Sequence, residues 1–172
     1  MLRILGALSA VVGAGGFGYL IAAGLDDRAA NLRSLVNGLQ HLESDITYAA
    51  LPLNTALRRS AEVVGGRTAV FLREAAEGME RADGRSAVKA WSEALTRQAG
   101  ELLLSPAELE VLQQLGTVLG GSDREDQQKH INLARATLAQ YQIAAEAAAG
   151  KTKRVWQYLG FTVGGLMVIL LY

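Results

Sequence analysis

The hydrophobic positions of this chain fall into three regimes. From Ile4 to Leu25 no charged residue occurs, and from Val155 to Tyr172 none occurs again. Between them the apolar residues advance by three or four, the period of an amphipathic helix. From Asp27 to about Ala49, Leu32, Leu35, Val36, Leu39, Leu42 and Ile46 keep that step, and Pro52 ends the segment. Leu53, Ala56, Leu57 and Val63 carry a shorter helix to the Gly65-Gly66 pair. A third runs from Arg67 to about Asp83 through Val70, Phe71, Ala75 and Met79, with the next turn at Gly84.

A fourth helix opens at Ser86, carries Val88, Trp91 and Leu95, and is expected to stop near Gly100. Ser105-Pro106-Ala107-Glu108 then supplies an N-cap, a first-turn proline and the reciprocal glutamate of a capping box. Gly120-Gly121 ends that fifth helix, and Ser122-Asp123-Arg124-Glu125 repeats the box. The last helix carries Ile131, Leu133, Leu138, Tyr141 and Ile143, with Gly150 as its one weak point. The fold expected is all-α: a compact bundle of about six helices over residues 26–154.

The two uncharged runs are long enough for helices across a hydrocarbon core roughly 30 Å thick. Residues 1–25 and 155–172 are therefore expected as transmembrane helices flanking the bundle, the second edged by Trp156, Tyr158 and Tyr172. The rival for the first is a signal peptide cut after Ala22-Ala23-Gly24, but its apolar stretch exceeds the roughly 7–15 residues of a signal core. Arg28, Arg33, Lys151, Lys153 and Arg154 flank the spans on the central side and Arg3 on the other. That asymmetry expects the bundle in the cytoplasm of a multi-pass membrane protein. Gly13, Gly15 and Gly18 match G-x-G-x-x-G, yet both flanks continue one uncharged run, whereas a dinucleotide site needs a strand before its glycines and a helix after them. Helical spacing explains the small residues better. Gly6, Ala10, Ala14, Gly18 and Ala22 recur every fourth position, and Gly160 and Gly164 repeat the step, giving smooth faces for helix packing in lipid. Such a face could take the other span, a second copy of the chain in a homo-oligomer, or another membrane protein.

Composition narrows the chemistry. Half the residues are hydrophobic and 6% aromatic, which suits helices rich in Ala and Leu. Lys plus Arg and Asp plus Glu number 17 each, so no face is basic enough to hold a phosphate backbone, and no nucleic-acid partner is expected. There is no cysteine, and of the two histidines, His41 and His130, the second shares a helix face with Asp126 but lacks a third ligand. No catalytic residue, metal or cofactor is expected. Ser122, Asp123, Arg124, Glu125, Asp126, Gln127 and His130 form the most polar stretch of the bundle. Its three acids exceed what complementing a helix dipole needs, which marks it as a candidate protein-binding surface.

The run Leu119-Gly120-Gly121-Ser122-Asp123-Arg124-Glu125-Asp126-Gln127-Gln128-Lys129-His130 resembles the signature segment of the stage III sporulation protein AB family. The segment from Tyr48 to Leu57, the two terminal runs and the length fit the same family, so the likeness covers essentially the whole chain. More distantly, Pro52, Leu53, Ala56 and Leu57, with Gly84-Arg85-Ser86 and Glu93-Ala94-Leu95, resemble the cytoplasmic module of the inner-membrane platform of type II secretion and type IV pilus machines. The first resemblance implies a mother-cell membrane component, around the forespore, of the channel complex needed for endospore formation. The second implies a non-enzymatic coupling subunit, with other channel-complex proteins and the secretion-type AA ATPase as partners beside the lipid bilayer. This chain has one module where the platform has two. The alternative expectation is a small-molecule sensor or enzyme using an interhelical pocket.

Overall fold

The computed structural model describes the backbone of residues 2–81, 86–121 and 123–171, and side chains within 24–81, 86–121, 123–152 and 154–155. Among the described residues six helices follow one another: α1 (Leu2–Thr47), α2 (Leu53–Val64), α3 (Gly66–Glu80), α4 (Ala87–Leu102), α5 (Pro106–Val118) and α6 (Arg124–Leu171). Among the described residues there is no strand. The chain divides into two compact units, Ala30–Ile143 and Met1–Ala29 with Ala144–Tyr172.

In the unit Ala30–Ile143, polar pairs across neighbouring helices give the direction of the chain. Asp45 near the end of α1 lies 3.5 Å from Arg59 of α2. Asn54 and Arg58, early in α2, both bond Glu80 at the end of α3. Arg67 at the start of α3 donates to the Glu101 carbonyl at the end of α4 at 2.8 Å. Short turns and alternating directions make an up-and-down bundle. The last helix lies beside the first, where Asn132 Nδ2 donates to Glu43 Oε1 at 2.7 Å and Arg135 approaches the same carboxylate at 3.6 Å.

The core follows the periodicity. Leu32, Leu35, Leu39, Leu42 and Ile46 are buried along α1, as are Phe71, Leu72, Trp91, Leu95 and Leu112 on the helices opposite. Phe71 and Trp91 meet edge-to-face with ring centroids 4.8 Å apart, the geometry that aromatic quadrupoles favour. The indole Nε1 of Trp91 donates to the Leu112 carbonyl at 2.8 Å, so the ring is buried with its polar atom satisfied. Gly116 is needed here because a Cβ on it would overlap the indole ring.

Local signals set the ends of the helices. Ser105 accepts from the Glu108 amide while the Glu108 carboxylate accepts from the Ser105 amide at 2.7 Å, the expected capping box with Pro106 at the first helical position. Ser86 caps α4 through the Lys89 amide. The far end of α4 differs from expectation, running past Gly100 to Leu102, with Leu103 in the left-handed region at φ 55°. The terminal carbonyls there are met by side chains from elsewhere, Arg67 on Glu101 and Asn31 Nδ2 on Leu102 at 2.9 Å. Tertiary partners thus supply what a C-terminal glycine supplies locally.

Four residues expected to face inward do not. Val63 and Val70 are exposed, and Leu133 and Ile143 are 64% and 67% exposed. On α6 the buried positions are Ile131, Ala134 and Leu138. Leu133, two residues beyond Ile131, lies about 200° around a helix of 3.6 residues per turn. Alanine occupies the inward position that the larger apolar residues suggested for themselves.

Among the described residues no helix is long and apolar enough to cross a membrane. The side chains of nearly all of the runs 4–25 and 155–172 lie outside the described residues, and so do the surroundings of Gly6, Ala10, Ala14, Gly18, Ala22, Gly160 and Gly164. The bounds of α6 include Gly150 without a break.

Trp91→Ala should cost about 3–5 kcal/mol, the range for deleting a large buried aromatic, read by urea titration of the full chain in detergent with far-UV circular dichroism. A loss below about 1 kcal/mol would show that the bundle does not depend on this ring.

Candidate interaction surface

The turn between α5 and α6 is anchored before it is displayed. Leu119 is fully buried, and Gly120 follows at φ 79°, where a Cβ would overlap the Ala87 methyl and sit 3.5 Å from Leu53 Cδ2. Glycine here satisfies both a left-handed backbone and a close approach. The turn therefore rests on the first turns of α4 and α2.

That contact joins two segments far apart in sequence. Pro52 precedes α2 with φ −58° and its carbonyl accepts from the Ala56 amide at 2.9 Å. Ala56 and Leu57 are completely buried, Leu53 is half-buried toward the Gly120 turn, and Pro52 is exposed. The platform-like residues thus act as a packing motif that fixes where α2 begins. Just before them, Tyr48 stands 84% exposed at the end of α1, followed by Ala49 and by Ala50 at φ 52°. The sequence reading used Tyr48 only as part of a segment; its display follows from the α1–α2 connection turning the chain back immediately after it.

The polar stretch begins one residue later than its capping signal suggested. Helix α6 starts at Arg124, and Asp123 Oδ1 accepts from the Asp126 amide at 2.8 Å. The cap is therefore Asp123, while Ser122 lies outside the described residues. Aspartate caps as well as serine and adds a negative charge at the positive end of the helix dipole, so it can take the role from its neighbour. Arg124, Glu125, Asp126 and His130 are exposed, and Gln127 is half-buried and hydrogen-bonded. Asp126 lies 4.0 Å from Lys129, not paired with His130 as its spacing suggested, in an exposed contact worth about 0–1 kcal/mol. Among the described residues no three His, Asp or Glu side chains gather as metal ligands. His41 instead lines an open groove of about 340 Å³ between α1 and α2, with Ser34, Asn37, Gln40, Val63 and Val64.

The turn, the α2 start and the exposed first turn of α6 contain both segments on which the sequence resemblance rested, and comparison with known proteins agrees. The sequence model of the family described as Stage III sporulation protein AB matches residues 3–172. This chain belongs to the stage III sporulation protein AB family. Stage III sporulation protein AB of Bacillus subtilis (strain 168) is 34% identical over 171 residues, covering 99% of each chain. A solved structure of a Stage III sporulation protein AB superposes with a TM-score of 0.66 at 34% identity, spanning 72% of this chain and 97% of that one. The family assignment thus covers the Gly120 turn, the α2 start and both uncharged runs together.

Asp123→Ala should lower stability by about 1 kcal/mol, the usual worth of an N-cap, whereas Ser122→Ala should change it by less than about 0.5 kcal/mol. Thermal unfolding of the two variants side by side checks the assignment, and the reverse order would return the cap to Ser122.

Proposed function

We propose that this chain is a non-enzymatic scaffold and coupling subunit of the mother cell–forespore channel complex in endospore formation, held in the membrane by residues 4–25 and 155–172. The observation that carries this reading is the meeting of the Tyr48–Leu57 and Leu119–His130 segments at one end of the unit Ala30–Ile143. At that end the buried members, Ala56, Leu57 and Leu119, hold the framework. The exposed members, Tyr48, Arg124, Glu125 and Asp126, are free to touch a partner. An exposed tyrosine and arginine are the residue types that anchor protein interfaces, and acidic groups beside them favour a basic partner surface. The secretion-type AA ATPase is the partner proposed for this end.

Membrane anchorage is supported by the uncharged runs at both ends and by the basic residues on their central side. The chain leaves this unit at Ala30 and Ile143, and the end carrying Tyr48 and Asp126 is the one proposed to meet a cytoplasmic partner. The polar groove beside His41 favours a second reading, binding of a small polar molecule between α1 and α2.

Tyr48→Ala combined with Glu125→Lys and Asp126→Lys leaves the Asp123 cap in place. It is expected to reduce co-purification with the ATPase by at least about tenfold, a loss of about 1.4 kcal/mol or more, and to block spore formation while circular dichroism still shows the folded bundle, reversing two first-turn charges costing about 1–2 kcal/mol of stability. Normal co-purification and normal spore counts would remove this end from the interface. Because the chain has no cysteine, single cysteines at exposed Gln113 and near Met1 test the orientation. The first should react with an impermeant thiol reagent only after the cytoplasmic side is opened, the second from outside.

A further inference from the structure

Two turns come together at the end of the unit Ala30–Ile143 that holds Asn31. The α2–α3 turn is Val63-Val64-Gly65-Gly66-Arg67, and the α4–α5 turn runs from Gly100 to Ala107. Arg67 donates to the Glu101 carbonyl at 2.8 Å and Asn31 of α1 donates to the Leu102 carbonyl at 2.9 Å, so the turns lie beside one another and beside α1. What they show to solvent is small and apolar: Val63 at 59%, Leu103 at 38%, the glycine pair, Pro106 and Ala107. Their exposed charges are Arg67 and Glu101, which lie 3.9 Å apart as a pair, with Glu62 one residue inward. The turns at the other end expose Glu80, Arg81, Asp123, Arg124, Glu125 and Asp126 among the described residues. Leu103 adds a second sign. At φ 55° it holds a backbone conformation that glycine enters freely and a leucine does not, so its side chain is kept at the surface against the local preference.

The occupant follows from where the chain goes next. The first uncharged run ends at Leu25, six residues before Asn31, and six residues reach at most about 22 Å even when fully extended. Whatever surrounds that run is therefore close to these two turns, however the unit is rotated. On each side of its hydrocarbon a bilayer has a polar interface roughly 5–8 Å deep. There short apolar side chains gain by leaving water, while backbone amides still find hydrogen-bond partners. We infer that the α2–α3 and α4–α5 turns rest on the lipid surface, Val63 and Leu103 entering the interface while Arg67 and Glu101 neutralise one another beside them. This rests on reading residues 4–25 as a span. The turns then hold the unit to the bilayer at points additional to the chain itself, and each apolar group that leaves water there adds to the attachment.

The test uses the full-length chain in vesicles of phosphatidylcholine and phosphatidylglycerol, with single cysteines at Val63, Leu103 or Ala107 and controls at Tyr48 and Glu125, each carrying a polarity-sensitive fluorophore. Lipids bearing a nitroxide on the headgroup should quench the first three at least about threefold more than the controls, since roughly 25 Å of helix separates Asn31 from Tyr48. Val63→Asp with Leu103→Asp should bring quenching at Ala107→Cys down to the control level while circular dichroism keeps the helical signal. If the aspartates unfold the unit, the ratio among the single-cysteine chains decides alone. Equal quenching at the two ends would overturn the contact. So would labels at Val63 and Leu103 that are shielded from aqueous iodide yet untouched by the nitroxide lipid, the result of a protein covering this end. Alkaline carbonate washing separates the contact from the span. A retained chain with equal quenching keeps the span and loses the contact, and a chain that washes off after quenching at Val63 and Leu103 does the reverse.

Discussion

Burial of Trp91 with its indole nitrogen satisfied is the interaction around which the unit Ala30–Ile143 is arranged. The ring touches Phe71 on α3, lies against Gly116 on α5 and donates to the Leu112 carbonyl, so one side chain ties three helices. An indole buried without that carbonyl would cost about 1–3 kcal/mol, and a side chain at position 116 would expel it. Leucines from α1 and alanines from α2 and α3 then close the core. In a bundle this small, individual contacts of that size are a large share of the total, which is typically about 5–15 kcal/mol.

From that centre the two ends of the unit are built differently. At the end holding Ala30, side chains reach across helices to cap carbonyls, Asn31 on Leu102 and Arg67 on Glu101. At the other end, small residues let three turns press together, with Gly120 against Ala87 and Leu53. The first arrangement leaves few groups seeking partners. The second displays Tyr48 and the acidic first turn of α6 on a base that cannot shift without disturbing Leu57 and Leu119. A surface held in this way is pre-organised, which reduces the ordering cost of binding.

Much of this architecture was legible in the sequence because it rests on local chemistry. The Ser105 box, the Ser86 cap, the α1 leucine stripe and the breaks at Pro52 and Gly65 each depend on residues within a turn or two of one another. The family likeness was legible too, carried by Tyr48–Leu57 and Leu119–His130. Less legible was the frame of the α6 cap, since Ser122 and Asp123 are both good caps and their order alone does not choose between them. The direction in which Leu133 and Ile143 point was hidden for a related reason: hydrophobic spacing rewards large residues, while close helix packing takes Ala134 inward.

The sequence by itself determined an all-α fold with uncharged ends, the six amphipathic segments between them and the family to which the chain belongs, because periodicity, capping and uncharged length act over short stretches of backbone. Only the tertiary structure decided that the two signature segments share one end, that Leu103 takes a left-handed turn past the expected helix end near Gly100, and that Leu133 and Ile143 on α6 point outward. Those outcomes depend on which groups from distant helices arrive to fill a cavity or satisfy a carbonyl, and no local pattern carries that information.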